Sequence, residues 1–317
     1  MEPSRPENEL PRSRKMLRTA LGPLLLARLE DPGVAEVMLN PDGRVWVDRF
    51  EGGLADTGLV LPVADGERIL RLVAHHVGAE IHAGRPRLSA ELPGSGERFE
   101  GLMPPLAAGP MFALRKPASR VFPLADYVAA GVMSAEQAEL LAVAVRERMN
   151  ILVAGPTSSG KTTLVNALLA EVAASDDRVV MIEDVRELQC AAPNLVALRT
   201  GEGAATLGEL VRSSLRLRPD RIIIGEVRGA EALDLIKAWG TGHPGGVGTL
   251  HAGSPLGALL RLEQLIQEAV VTVPRTLIAE TIDVIAVLSG RGRQRRLTDL
   301  SRLSGLGPDG AYQLSPL

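Results

Sequence analysis

The chain has 317 residues, 45% of them apolar, and a formal net charge of −3. That length is too great for one average domain and comfortable for two, and the apolar share excludes global disorder. Near-neutral charge argues against a protein that coats DNA, and the single cysteine, Cys190, excludes an internal disulfide or a cysteine-rich zinc site.

Residues 1–15 are polar, contain proline and lack periodicity, so they read as a flexible tail without the apolar core of a secretory signal. The longest apolar run, Leu21 to Leu29, is broken by Gly22, Pro23 and Arg28 and falls short of the roughly 18 residues of a membrane span. Residues 16–120 read as a small α+β domain. Val34–Asn40 and Arg44–Phe50 are strand-like runs around the turn Pro41-Asp42-Gly43, a helix is expected near Asp65–Val77, and two extended runs lead to Arg115. Residues 121–133 read as a linker.

Ser134 opens a helix through a capping box with Gln137. The helix runs to about Met149, and strands and helices then alternate to residue 317. Ile151–Ala154, Val179–Ile182, Ile222–Ile224 and Val247–Leu250 are the strands; helices are expected over Thr162–Ala173 and around Leu207–Leu217, Ala230–Trp239 and Leu256–Ala269. Strands as continuously apolar as Ile222-Ile223-Ile224 are buried on both faces, so residues 134–317 should be an α/β domain with a mostly parallel sheet between helices. Arg291–Arg296 reads as a basic turn between two strand-like runs.

Gly155-Pro156-Thr157-Ser158-Ser159-Gly160-Lys161-Thr162 satisfies the P-loop pattern in full and joins a buried strand to a helix. Glycines let backbone N–H groups wrap phosphates closely, and the following helix N-terminus favours their negative charge. ATP with Mg²⁺ is the expected ligand. Residues Gly155 to Thr163 would form the cradle, with Lys161 on the β- and γ-phosphates and the Thr162 hydroxyl on the metal. Glu183-Asp184 and Glu226 follow later strands, at the ends where an open α/β sheet binds ligands. Glu183 and Glu226 are therefore candidates for the metal shell and for orienting the attacking water, and Glu187 lies one helical turn beyond Glu183. His243 and His251 flank a glycine-rich run, and an imidazole there can sense the γ-phosphate.

These segments together resemble the secretion ATPase superfamily of type IV secretion, type II secretion and type IV pili. The resemblance rests on the P-loop; on Ile182 to Leu188, similar to the Asp box; on Arg218 to Gly229, similar to the atypical Walker B segment; and on Thr241 to Ala252, similar to the His box. It implies a RecA-like P-loop domain. Leu92 to Arg98 and Phe112 to Lys116 resemble N-terminal segments whose arginines approach phosphates, which makes Arg98 and Arg115 candidate arginine fingers acting across a subunit boundary. The short N-terminal half and the wording of the Asp box resemble the conjugal-transfer branch most, and the missing tetracysteine site, absent from pilus-retraction ATPases too, agrees with it. Ser158 departs from the family, which often has glycine there, and the basic turn matches no assigned segment.

By that resemblance the chain is expected to be an ATP-hydrolysing homohexamer of a type IV secretion or conjugation machine. It would work on the cytoplasmic face of the bacterial inner membrane, with secretion-channel components as partners. Lys161, Glu183, Glu226, His251, Arg98 and Arg115 would carry catalysis, and Thr162, Glu183 and Glu226 the metal. A pilus assembly or retraction ATPase and a nucleotide-gated scaffold are the alternatives. The arginines of the basic turn offer a peripheral membrane contact, and no specific nucleic-acid partner is expected with aromatic residues at 3%.

Overall fold

The computed structural model describes residues 10–50, 52–92, 96–117, 121–201 and 203–317. The chain divides into two compact units at 119/120. The expected tail lies outside the described residues up to residue 9, and its last six residues already belong to the first helix.

In the first unit, α1 (Leu10–Glu30) precedes β1 (Val34–Leu39), β2 (Arg44–Arg49) and β3 (Gly53–Val60). Helix α2 (Val63–His76), β4 (Arg87–Glu91), β5 (Arg98–Leu102) and β6 (Met111–Arg115) follow. Helix α1 contains Gly22 in a left-handed conformation beside Pro23; this kinks it without ending it, which is why the sequence shows no clean helix there. The six strands form an antiparallel sheet in the order β3-β2-β1-β6-β5-β4. Alternate residues face a core shared with the two helices: Val37, Leu39, Val45, Val47, Phe99, Phe112 and Leu114 pack with Leu17, Leu21, Ile69, Leu70 and Val73. Phe99 and Phe112 stack with ring centroids 5.3 Å apart.

The opposite face carries the intervening residues, and among the described residues of the first unit no helix covers it. Cross-strand register places Asp48, Glu36, Arg115, Arg98 and Glu91 in one row, beside a second row containing Trp46 and Met38.

The second unit begins with α3 (Leu124–Ala129), inside the segment expected to be a linker. Leu124 and Tyr127, one turn apart, bury themselves in the core of the second unit. Helix α4 (Ala135–Arg146) has the expected capping box: Gln137 N–H donates to Ser134 Oγ at 3.0 Å and Ser134 N–H to Gln137 Oε1 at 2.9 Å. Then come β7 (Ile151–Ala154), α5 (Lys161–Val172), β8 (Arg178–Glu183), β9 (Asn194–Arg199), α6 (Leu207–Ser214), β10 (Arg221–Ile224), α7 (Glu231–Gly240) and β11 (Val247–Leu250). Helices α8 (Pro255–Gln267) and α9 (Arg275–Thr281) precede β12 (Val284–Ser289), β13 (Arg296–Leu306) and β14 (Tyr312–Pro316).

The sheet order is β14-β13-β12-β7-β11-β10-β8-β9. From β12 to β9 all neighbours are parallel, and β13 and β14 add an antiparallel edge. Alternation along each strand feeds two cores. Leu152, Val180, Ile222 and Ile285 face helices α6 to α9, while Ile151, Val153, Val179, Ile223 and Ala286 face α3 to α5. Burial on both faces explains the unbroken apolar strands. Trp239 closes one end of the sheet: its indole N–H donates to Ile222 O at 2.9 Å, and its ring lies where any Cβ on Gly246 would fall, 2.1 Å away. The glycine-rich run before β11 thus makes room for a tryptophan ring.

Candidate nucleotide site

Four parallel strands end side by side. Leu250 pairs with Ala154, and Ile224 with Ile182. The residues that follow therefore meet at one edge of the sheet: the P-loop after β7, Glu183 closing β8, Glu226 after β10 and His251 after β11. His243 does not join them. It precedes β11, at the opposite end of that strand, with Nδ1 3.1 Å from Ala238 O.

The P-loop turns through Gly155, Ser158 and Gly160, all with positive φ. At φ 64 Ser158 adopts a left-handed conformation that glycine takes without cost, the physical content of its departure from the family pattern. Lys161 is buried, and its ammonium turns back on the loop, donating to Gly155 O at 3.0 Å and Pro156 O at 3.3 Å. It also stands 3.2 Å from His251 Nδ1. An ammonium can only donate, so Nδ1 accepts and the imidazole proton sits on Nε2. His251 Nε2 lies 2.6 Å from Glu226 Oε1, and the other oxygen of Glu226 accepts from Arg228. Lys161, His251, Glu226 and Arg228 thus lie in one line of contacts, hydrogen-bonded at its two ends and joined by the close approach of His251 to Glu226.

Glu183 is buried, with its methylene group against Gly225, where a Cβ would approach to 3.2 Å. Its Oε1 accepts the backbone N–H groups of Glu187 at 2.9 Å and Leu188 at 2.7 Å, which fixes the loop after β8. Burial pushes its pKa up to about 7 against the opposing pull of those two donors, and the neighbouring charge of Glu187 adds to the rise. The carboxylate that touches Thr162 belongs to Glu187: Thr162 Oγ1 donates to Glu187 Oε2 at 3.2 Å. Asn166 holds the same loop by donating to Glu187 O and accepting from Gln189 N–H. Glu226 is engaged with His251 and Arg228. Glu187 is legible in sequence only through its spacing from Glu183, and Arg228 only as a neighbour of Glu226.

The donors near Thr162 fit magnesium. A hydroxyl and one or two carboxylates suit an ion that keeps several waters and takes phosphate oxygens as its remaining ligands. Among the described residues no cluster of three His, Cys, Asp or Glu side chains could hold a metal unaided. Magnesium, when bound, screens the phosphate charge; Thr162 and Glu187 would hold it or its waters.

In the first unit, Arg98 and Arg115 are direct cross-strand partners on the face that α1 and α2 leave uncovered, and Arg115 also pairs with Glu36. Burial raises the pKa of Glu36, and the positive charge of Arg115 works against that rise.

Residues 86–291 match the family described as type II/IV secretion system protein. The conjugal transfer protein TrbB of Rhizobium radiobacter is 46% identical over 297 residues, which span 93% of this chain and 91% of that protein. The chain belongs to the secretion ATPase superfamily. Within it, the type IV secretion system protein PtlH of Bordetella pertussis is 35% identical over 311 residues, covering 86% of this chain and 91% of the relative. Among solved structures, the VirB11 ATPase of the Brucella suis type IV secretion system, crystallised with sulphate, superposes with a TM-score of 0.50 at 30% identity. That match covers 90% of this secretion ATPase and 97% of the other chain. The RecA-like P-loop fold with a separate N-terminal domain is that of the superfamily.

Proposed function

We propose that this secretion ATPase is the Mg²⁺-dependent, ATP-hydrolysing motor of a type IV secretion or conjugal-transfer apparatus. It would work as a homohexamer on the cytoplasmic face of the inner membrane, energising pilus biogenesis or substrate transfer with channel components as partners. Its kinship with conjugal-transfer and type IV secretion relatives supports the assignment. No helix among the described residues is long and apolar enough to cross a membrane.

The observation that carries the chemistry is the contact line from Lys161 through His251 to Glu226. Phosphate oxygens arriving on the loop N–H groups take over Lys161, which leaves the carbonyls of Gly155 and Pro156 and releases His251 Nδ1. The β/γ-phosphate charge is then met by Lys161, and Thr162 would hold the magnesium that shares in neutralising it. Glu226 orients the attacking water and accepts its proton as the bond from the γ-phosphorus to the ADP oxygen breaks. His251, bridging Lys161 and Glu226, reports whether the γ-phosphate is present. Glu183 serves by fixing the loop that presents Glu187 to Thr162. Arg98 and Arg115 supply arginine-finger charge across a subunit boundary.

ATP turnover measured against protein concentration, with particle mass alongside, tests this reading. Turnover per subunit should rise as a hexamer forms, vanish in Lys161→Ala, and fall at least a hundredfold in Glu226→Gln while ATP still binds. Normal turnover in Lys161→Ala would sink the reading.

A further inference from the structure

In the sheet β7 lies between β11 and β12, so the P-loop has a neighbour on each side. His251 and Glu226 stand on the β11 side. On the other, the chain leaves β12 at Ser289, makes a 3-10 turn over Gly292–Gln294 and enters β13 at Arg296. The sequence alone places this basic turn in solvent, and Arg291, Arg293 and Arg296 are indeed exposed. Arg295 points inward. Its guanidinium lies against Gly160, the residue before Lys161: a Cβ built on Gly160 would stand 2.8 Å from Arg295 Nε and 2.9 Å from Cζ. Only glycine admits the guanidinium so close to the loop.

Arg295 Nε is buried and has no hydrogen-bond partner among the described residues, and the same holds for Ser159 Oγ and the Tyr127 hydroxyl. The charge of Arg295 is felt at Tyr127, where it works against the rise that burial imposes on the phenol. A guanidinium donor left unsatisfied beside a phosphate-binding loop is costly, and an anionic oxygen would remove that cost.

We propose that Arg295 is a phosphate-binding residue of the nucleotide site, gripping the end of the phosphate chain remote from Glu226. The inference rests on the P-loop reading and follows from direction. The γ-phosphate must lie beside Glu226 and His251, on the β11 side. A chain laid along the loop N–H groups then runs towards β12, and its α- and β-phosphates come to Arg295. Lys161 and Arg295 would hold the chain from opposite flanks of the P-loop, both from the same subunit.

Equilibrium binding of inorganic tripolyphosphate with Mg²⁺, and separately of ADP, tests this on the full chain. Arg295→Gln should weaken both ligands roughly tenfold or more, the size expected for one hydrogen bond between charged groups. Arg295→Lys should recover much of the loss, and the neighbouring Arg291→Ala should leave both unchanged. Unchanged tripolyphosphate affinity in Arg295→Gln overturns the proposal, including the case where only ADP weakens, which would assign Arg295 to the nucleoside. A loss as large in Arg295→Lys overturns it too, making Arg295 a packing residue. Lys161→Ala separates the two readings: if it binds both ligands normally, the P-loop reading itself fails.

Discussion

The sheet of the first unit is covered by its own helices on one face, and the sheet of the second unit on both. The first can therefore carry charged side chains in the middle of its strands. Arg98 and Arg115 stand in such a row with Asp48, Glu36 and Glu91, while the alternate residues fill the core. In the second sheet every mid-strand position of β7, β10 and β11 is buried, so polar chemistry is confined to the strand ends. Its two ends also differ. The carboxyl ends converge on the P-loop; at the opposite end Arg221 donates to Asp177 Oδ2 at 2.6 Å and to Val145 O at 2.9 Å, both charged side chains being almost fully buried, with Arg148 on the same carboxylate. One sheet uses a face and the other an edge.

The sharpest way to break this comparison is Arg115→Ala. If the open face serves catalysis, turnover should fall about 10³-fold or more, with the melting temperature nearly unchanged because no core contact is lost. Full activity would reduce the charged row to a solvated surface. At the far end of the second sheet the opposite outcome is expected: Asp177→Asn should cost about 3–5 kcal/mol in denaturant unfolding, because it strands the buried Arg221 charge. Its nucleotide affinity should survive wherever the fold does.

At the carboxyl end, Glu183 gives a graded test. Its folded pKa of about 7 lies above the ordinary 4.5, so the folded protein binds this proton more tightly than the unfolded chain. The stability it contributes is complete below about pH 4.5 and is lost as pH rises through about 7. In protein free of nucleotide and magnesium, Glu183→Gln keeps the acceptor for Glu187 and Leu188 without the titration. Wild type should therefore lose on the order of 2 kcal/mol relative to the variant between pH 4.5 and 8; parallel curves would show that Glu183 is not held protonated. The smallest effect belongs to Ser158→Gly. Relieving a left-handed serine should raise stability by up to about 1 kcal/mol, the gain being limited by the greater freedom of glycine in the unfolded chain.

The strand–loop–helix around Gly155 to Thr162 was legible because burial periodicity and motif coincide there. The same holds for His251, which directly follows β11, and for Glu226, one residue beyond the apolar strand β10. Helix α3 and strand β9 were not legible: one is six residues long, and the other is an edge strand of mixed exposure without a strong pattern. Helix α9 is held by packing on α7 and β13, which no local signal announces. Glu187 has no strand of its own to mark it and reaches Thr162 only because Glu183 folds the intervening loop back. Gly245 and Gly246, in the glycine-rich run between His243 and His251, make room for Arg221 and Trp239. Arg295 is indistinguishable in sequence from the three exposed arginines around it, and only the pairing of β12 with β7 carries it to Gly160.

The chain has two tryptophans, and the fold deals one to each unit: Trp46 on the half-exposed face of β2, Trp239 sealed against Gly246. Their different surroundings give the protein a built-in pair of optical reporters, one indole partly exposed with its N–H buried and the other enclosed in the core. A fluorescence spectrum followed through unfolding can therefore tell whether the two units melt together or in sequence, and Trp46→Phe leaves a signal from the ATPase unit alone.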